Sequence, residues 1–292
     1  MNIKDLEYFK NLVEQKNFSK VAAKFKVSQP TITTAIKRLE NEFNAKLFIR
    51  DRRHNTIEAT ASGVQLFKHC QTILNELSIA QQELHNITHQ KLMLGLPPII
   101  ENHYFTKVCS KLAQLNLLKS LTTVEGGSVS LTDALRKGKL DLSLLGSIAP
   151  INYTDLTATE TDRQPFCIYV SKKHQLAKRK QVSFHELCNE RFVFFDQNFI
   201  HNQAFNQLTQ QNHFRANIIF KSNDIHILMK LIEQNLGIGF FTKIIDSKSY
   251  NLKCLHISDA KQPEFITSLV YRKNHILTPN QLKLVQVLRD NL

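Results

Sequence analysis

Between residues 28 and 38 the chain sets hydroxyl, amide and cationic side chains opposite an apolar stripe. Ile32, Ile36, Leu39 and Phe43 repeat at helical spacing, so that side is expected to pack inward. The other side carries Pro30, Thr33, Thr34 and Lys37, with Arg38 on its flank. Ser28 is placed to cap the helix, and Pro30 is tolerated in a first turn, where its missing donor would be unpaired anyway. A helix with such a front suits the DNA major groove. Gln29 can pair bidentately with adenine, and the Pro30 ring or the methyls of Thr31, Thr33 and Thr34 can touch a thymine methyl. Ser28 and Arg38 belong to the same DNA-facing set. Lys37, with Arg50, Arg52 and Arg53 further on, is suited to phosphates, which position a protein without reading sequence.

The elements that would hold this front follow from periodicity. Residues 3–16 predict a first helix with Ile3, Leu6, Phe9, Leu12 and Val13 on one side. Phe18, Val21, Ala22 and Phe25 give a second short helix, and Lys26-Val27 breaks the pattern before Ser28. Two β-like runs, 47–50 and 56–59, flank a polar tip and read as a hairpin wing. Residues 61–89 predict a long helix. Its seam of Leu66, Cys70, Ile73, Leu77, Ala80, Leu84 and Ile87 alternates spacings of four and three, as in a dimerising coiled coil. DNA sites of two-fold symmetry call for dimers, so seam and recognition helix support each other.

Beyond residue 90 strands and helices alternate, which predicts an α/β unit with parallel sheets. Gly126-Gly127-Ser128 makes a strand-to-helix turn whose free N–H groups favour an anion. Ser222, Asn223 and Asp224 precede a helix at Ile225, and Pro97, Pro98, Ile99 and Ile100 follow a strand. These loops sit where open α/β sheets take ligands. Pro98, Ile99, Ile100, Gly127, Ser128, Ser222, Asp224 and Ile225 are therefore expected to line one cleft for a small effector, with a carboxylate favoured.

Composition narrows the rest. The net charge of +13 over 292 residues favours a polyanionic partner. The N-terminus shows no apolar signal core, and apolar runs fall short of a membrane span, so a cytoplasmic protein without membrane insertion is expected. Five scattered cysteines, none in C-x-x-C spacing, argue against a disulfide scaffold or zinc. His85 and His89 sit four apart without a third ligand, and the basic run at Lys172, Lys173, Lys178, Arg179 and Lys180 reads as a solvated loop. No metal, cofactor or catalytic constellation is expected: G-x-S-x-G, the P-loop and G-x-G-x-x-G are all missing. The alternative left by the residues is a solute-binding or enzymatic α/β protein with an accessory basic domain.

Leu6-Glu7-Tyr8-Phe9, Phe18-Ser19, the run from Val27 to Ile32, Ile36-Lys37-Arg38-Leu39-Glu40 and Leu47-Phe48 with Arg50 resemble the LysR-type transcriptional regulators. Glu125-Gly126-Gly127, Leu135 with Gly138, Leu140-Asp141-Leu142 with Gly146, and Gly237-Ile238-Gly239 resemble the same family's effector domain. Asn2 to Phe9 and Gly95 to Ile100 are similar to its malolactic-type branch, regulators of organic-acid genes. The resemblance implies a winged helix-turn-helix over 1–60, a linker helix over 61–90, and over 91–292 a two-lobed α/β effector domain resembling periplasmic binding proteins. Lobe I would hold about 91–161 and 266–292, and lobe II about 162–265. It further implies promoter DNA and a small-molecule effector as partners, and self-assembly into dimers and tetramers. The chain departs from the family at Thr34, where arginine is common, at Ala59, where leucine is common, at Glu101, where a small residue is expected, and in a longer wing.

Overall fold

The computed structural model describes residues 1–51, 56–196 and 199–292. The chain divides into two compact units, Met1–Leu84 and His85–Leu292.

The first unit contains α1 (Ile3–Gln15), α2 (Phe18–Phe25), α3 (Gln29–Glu42), β1 (Phe48–Asp51), β2 (Thr56–Ala59) and most of α4 (Ala61–Thr88). Each short helix begins on a polar cap. Asn2 and Asp5 form a reciprocal capping box, Asn17 accepts from the Lys20 N–H, and Ser28 from the Thr31 N–H. Lys26, at φ 55°, ends α2 in the left-handed region and turns the chain into α3. Leu6, Phe9, Leu12, Val21, Ile32, Ala35, Ile36 and Leu39 share one core. The expected inward stripe stops at Leu39. Phe43 lies just past the helix end and is 45% exposed, and Ile3, in the first turn of α1, is 49% exposed. β1 and β2 pair antiparallel from Phe48↔Ala59 to Asp51↔Thr56, forming a wing whose tip lies outside the described residues. α4 then packs close to the start of that wing. A Cβ at Gly63 would fall 2.2 Å from the Leu47 carbonyl oxygen, so only glycine fits.

In the second unit the order is β3 (Leu92–Leu96), α5 (Pro98–Ile100), a π-turn at Glu101–Phe105, α6 (Thr106–Gln114), β4 (Leu121–Glu125), α7 (Ser128–Arg136) and β5 (Leu142–Ser147). The chain continues through β6 (Leu156–Ser171), β7 (Gln181–Val182), β8 (Arg191–Phe195), α8 (Ile200–Gln211), β9 (Asn217–Ser222) and α9 (Ile225–Glu233). β10 (Gly239–Thr242), β11 (Leu252–Ile257), β12 (Glu264–Arg272) and α10 (Pro279–Asn291) complete it. β3 pairs in parallel with β4 and β5, and β8 with β9. The sheet is mixed rather than parallel throughout, because two long strands run against it. β6 pairs antiparallel first with β12 and then with β10 and β11. It thus belongs to both lobes. β12 follows it from Glu264↔Pro165 to Arg272↔Leu156, with a register shift between Thr267 and Ser268.

The core of this unit is unusually aromatic. Phe166, Phe184, Phe194, Phe195, Phe240 and Phe241 are fully buried and contact one another edge-on or stacked, and the buried Phe192 meets Phe205. Arg272 is buried, and its guanidinium donates to the carbonyls of Leu135 (2.6 Å) and Leu140 (2.8 Å), satisfying the end of α7 and the loop after it.

Candidate DNA interface and effector cleft

On α3 the structure places Ser28, Gln29, Pro30, Thr31, Thr34 and Lys37 at the surface, with Thr33 half-buried. Not all of them keep free polar groups. Ser28 Oγ serves its own helix, 2.8 Å from the Thr31 hydroxyl, and Thr33 Oγ1 donates back to the Gln29 carbonyl. Gln29 is exposed, and its Oε1 accepts from the Ser19 hydroxyl at 3.3 Å. Arg38 has a partner within the domain that the sequence reading did not include. Its Nε and Nη2 reach the buried Asp5 at 3.2 and 2.5 Å, while 46% of its side chain stays exposed. Burial by itself would raise the Asp5 carboxyl. The guanidinium and the Asn2 N–H outweigh it and hold the group below its usual range. The pair fixes α3 against α1. Arg50 lies in β1, and Arg52 and Arg53 fall outside the described residues.

The seam on α4 also needs correction. Leu66 and Cys70 pack with Phe67 and Leu74 onto the helix-turn-helix core, and burial pushes the Cys70 thiol up to about 11. A seam residue that already fills its own domain cannot face a partner. Further along, Ile73 is 49% and Ile87 51% exposed, Ala80 is exposed and Leu77 half-buried.

The three expected effector loops do not share one cavity. Pro98, Asp224 and Ile225 line a cavity of about 390 Å³ with Glu101, Glu125 and His226. Its charge is wrong for an anion. The Asp224 carboxylate accepts from the N–H groups of His226 (2.8 Å) and Ile227 (3.4 Å), so the N-terminus of α9 holds an anion of its own. Ser222 is likewise used, accepting from the Asp224 N–H at 3.0 Å. Burial and then Glu125 raise the Glu101 carboxyl. Ile100 is fully buried in the core and lines none of these cavities.

Ser128 stands elsewhere. Together with Gly146, Ser147, Ile200 and Gln203 it lines an open cavity of about 310 Å³. α7 starts there without a side-chain cap, Gly127 being its N-cap. Ser128 Oγ accepts from the Gly146 N–H at 2.9 Å, which leaves its own proton free for a further acceptor. Ser147 Oγ is buried without a hydrogen-bond partner among the described residues. At the rim Arg136 is paired with Asp155 (2.7 Å) and lies over the Tyr153 ring. Ser128 also borders a second, nearly closed cavity of about 10 Å³ with Pro97, Ile99, Phe199, Ile200, His201 and Phe265. A Cβ on Gly146 would come within 2.6 Å of Phe265, so the wall closes only because that residue is glycine. Sequence reasoning missed His201, which is followed by Asn202 and Gln203 in the chain and yet is 1% exposed.

No group of His, Cys, Asp or Glu suited to a metal occurs among the described residues, and none of their helices is long and apolar enough to cross a membrane. Residues 3–64 match the family described as a bacterial regulatory helix-turn-helix protein, lysR family, and residues 86–292 match the LysR substrate binding domain. The malolactic fermentation system transcriptional activator of Lactococcus lactis is 34% identical, over 99% of this chain and 98% of that protein. The transcriptional dual regulator GltC of Bacillus subtilis is 25% identical over 82% of this chain and 79% of its own length. Among solved structures, the effector binding domain of QuiR in complex with shikimate covers 69% of this chain and 96% of its own, at 20% identity and a TM-score of 0.60. Full-length BenM covers 99% and 96%, at 18% identity and a TM-score of 0.57.

Proposed function

The chain belongs to the LysR family of transcriptional regulators, and we propose that it reads promoter DNA as a dimer under the control of a small carboxylate. The coarse function is settled by the family: a DNA-binding transcriptional regulator with an effector-binding domain, and not an enzyme. The assignments beyond that are this reading's own. Gln29, Pro30, Thr31 and Thr34 meet base edges, Lys37 meets phosphate, and Ser28, Thr33 and Arg38 hold the helix in place. The exposed stretch of α4 from Ile73 to Ile87 faces a second copy.

The observation that carries the effector class is the start of α7. Uncapped N–H groups and a donor-ready Ser128 hydroxyl meet at one cavity of about 310 Å³, whose lining also includes Ser147. Convergent donors of this kind stabilise an anion. The likeness to the malolactic activator, and to a domain solved with shikimate, itself a carboxylic acid, supports the same class. Calorimetry of the full chain with acetate, lactate, malate, succinate and benzoate tests it. Binding of at least one, weakened about tenfold or more by Ser128→Ala, is expected. A panel without binding refutes the carboxylate, and a ligand indifferent to Ser128→Ala refutes the site. A mobility shift on the DNA upstream of the chain's own coding region tests promoter binding.

A further inference from the structure

His201 is the second residue of α8 and is 1% exposed, yet neither ring nitrogen has a hydrogen-bond partner among the described residues. Buried imidazoles ordinarily find partners, because an unmade hydrogen bond leaves a desolvated polar atom uncompensated. This one is surrounded by rings: Phe166 from β6, Phe195 from β8, Phe241 from β10 and Phe265 from β12. Its remaining neighbours across the closed cavity are Pro97, Ile99, Phe199, Ile200 and Ser128. Among the described residues no lysine, arginine or acid is in that lining, and burial lowers the pKa of the imidazole to about 3. The two polar side chains at the cavity, Ser128 and His201, come from the first turns of two helices, α7 and α8, both begun without a side-chain cap.

Building on the carboxylate reading above, we propose that His201 is the effector's partner at Ser128 and that each carboxylate enters with one proton taken from solvent, shared between acid and imidazole. The reasoning is one of charge. A carboxylate brought to Ser128 finds no fixed cation in the lining of the closed cavity, and Arg136 on the open cavity is already paired with Asp155; an unpaired anion against aromatic walls is strongly disfavoured. The imidazole is the group there that can become cationic. Alone it stays neutral, since burial and the positive ends of two helices oppose its charge. The anion reverses that balance, so ligand and proton arrive together. The cavity of about 10 Å³ holds at most one water, so its walls must part for the carboxylate. Apolar walls with two polar groups favour a monocarboxylic acid with an apolar body over a dicarboxylate.

The test is calorimetry on the full chain with benzoate and butyrate, and with succinate as the dicarboxylate. It is run at one pH in phosphate and in Tris, whose ionisation heats differ, and then between pH 6.5 and 8. The expected result is uptake of close to one proton per site and a Kd that weakens about tenfold per pH unit. His201→Gln keeps hydrogen bonding but not charge, and is expected to abolish the uptake. His201→Phe, which suits the aromatic surroundings, is the second variant if the first does not fold, and is expected to do the same. Binding with no proton uptake, uptake that survives in both variants, or preference for succinate would each overturn the inference while leaving a carboxylate effector intact. If none of the acids binds, the carboxylate reading falls, and this inference with it.

Discussion

Replacing Ile73 with alanine separates a dimer seam from a helix that merely packs on its own domain. Ile73 is 49% exposed, so about half of its burial energy is still to be gained in a dimer. Full burial of an isoleucine side chain is worth roughly 1.5–3 kcal/mol, so the exposed half carries about 0.7–1.5. Two-fold symmetry loses it twice, giving roughly 1.5–3 kcal/mol for the dimer. That corresponds to about a 10- to 150-fold weaker dimer. Cys70→Ala is the companion variant. Cys70 is fully buried against the helix-turn-helix core, so its truncation should cost domain stability without moving the dimer constant. Sedimentation equilibrium of the full chain across a concentration series measures both. Equal dimer constants for parent and Ile73→Ala would refute the seam, and a dimer broken by Cys70→Ala but not by Ile73→Ala would refute its orientation.

Other perturbations test other parts. Gln29→Ala should relax base preference at one position and cost roughly 1–3 kcal/mol on the best site, whereas Lys37→Ala should weaken all sequences alike and lower the salt slope by about one, both read by titration at several salt concentrations. Gly63→Ala should destabilise the first unit by about 1–3 kcal/mol, because its Cβ would fall 2.2 Å from the Leu47 oxygen; faster amide exchange in α1 to α3 would show it. His201 is held neutral in the fold down to about 3, against about 6.5 in the unfolded chain. The unfolded state therefore binds the extra proton below pH 6.5, and stability should fall with pH from there toward 3, by about 1.4 kcal/mol per unit at most. Melting of His201→Phe should show a shallower fall over that window, and an identical pH profile would contradict the assignment.

What could be read from sequence was what periodicity encodes. The stripe Ile32, Ile36 and Leu39 lies in the core, and the helix expected at Ile225 forms with its apolar residues on a shared face. Of β6 only the apolar run from Phe166 to Val170 is legible in the sequence. Thr157 to Gln164 is polar and half-exposed where the strand passes between lobes, so it carries no burial signal. β11 leaves no clear mark in the sequence although Leu252, Leu255 and Ile257 are buried, since Lys253 and His256 interrupt the apolar run. The Arg38–Asp5 pair joins residues 33 apart, and from sequence alone a cation on a helix flank looks the same whether it meets phosphate or carboxylate. The α9 loop was correctly recognised as a capped helix start. Taking it for an anion site failed because its cap is itself an anion. His201 gave no warning, for nothing in a sequence says that a histidine beside Ile200 will be sealed among phenylalanines.

The paired run of β6 and β12 has a mechanical consequence. Two strands joined by a ladder of hydrogen bonds form a ribbon, and stretching or shearing a ribbon breaks that ladder. Winding it more or less tightly does not. The irregularity at Thr267/Ser268 lies within this ribbon, and such a bulge adds local twist. Displacement between the lobes is therefore cheapest as torsion about the ribbon axis, and an effector wedged beside Phe265, at the start of β12, would act on the molecule as a torque.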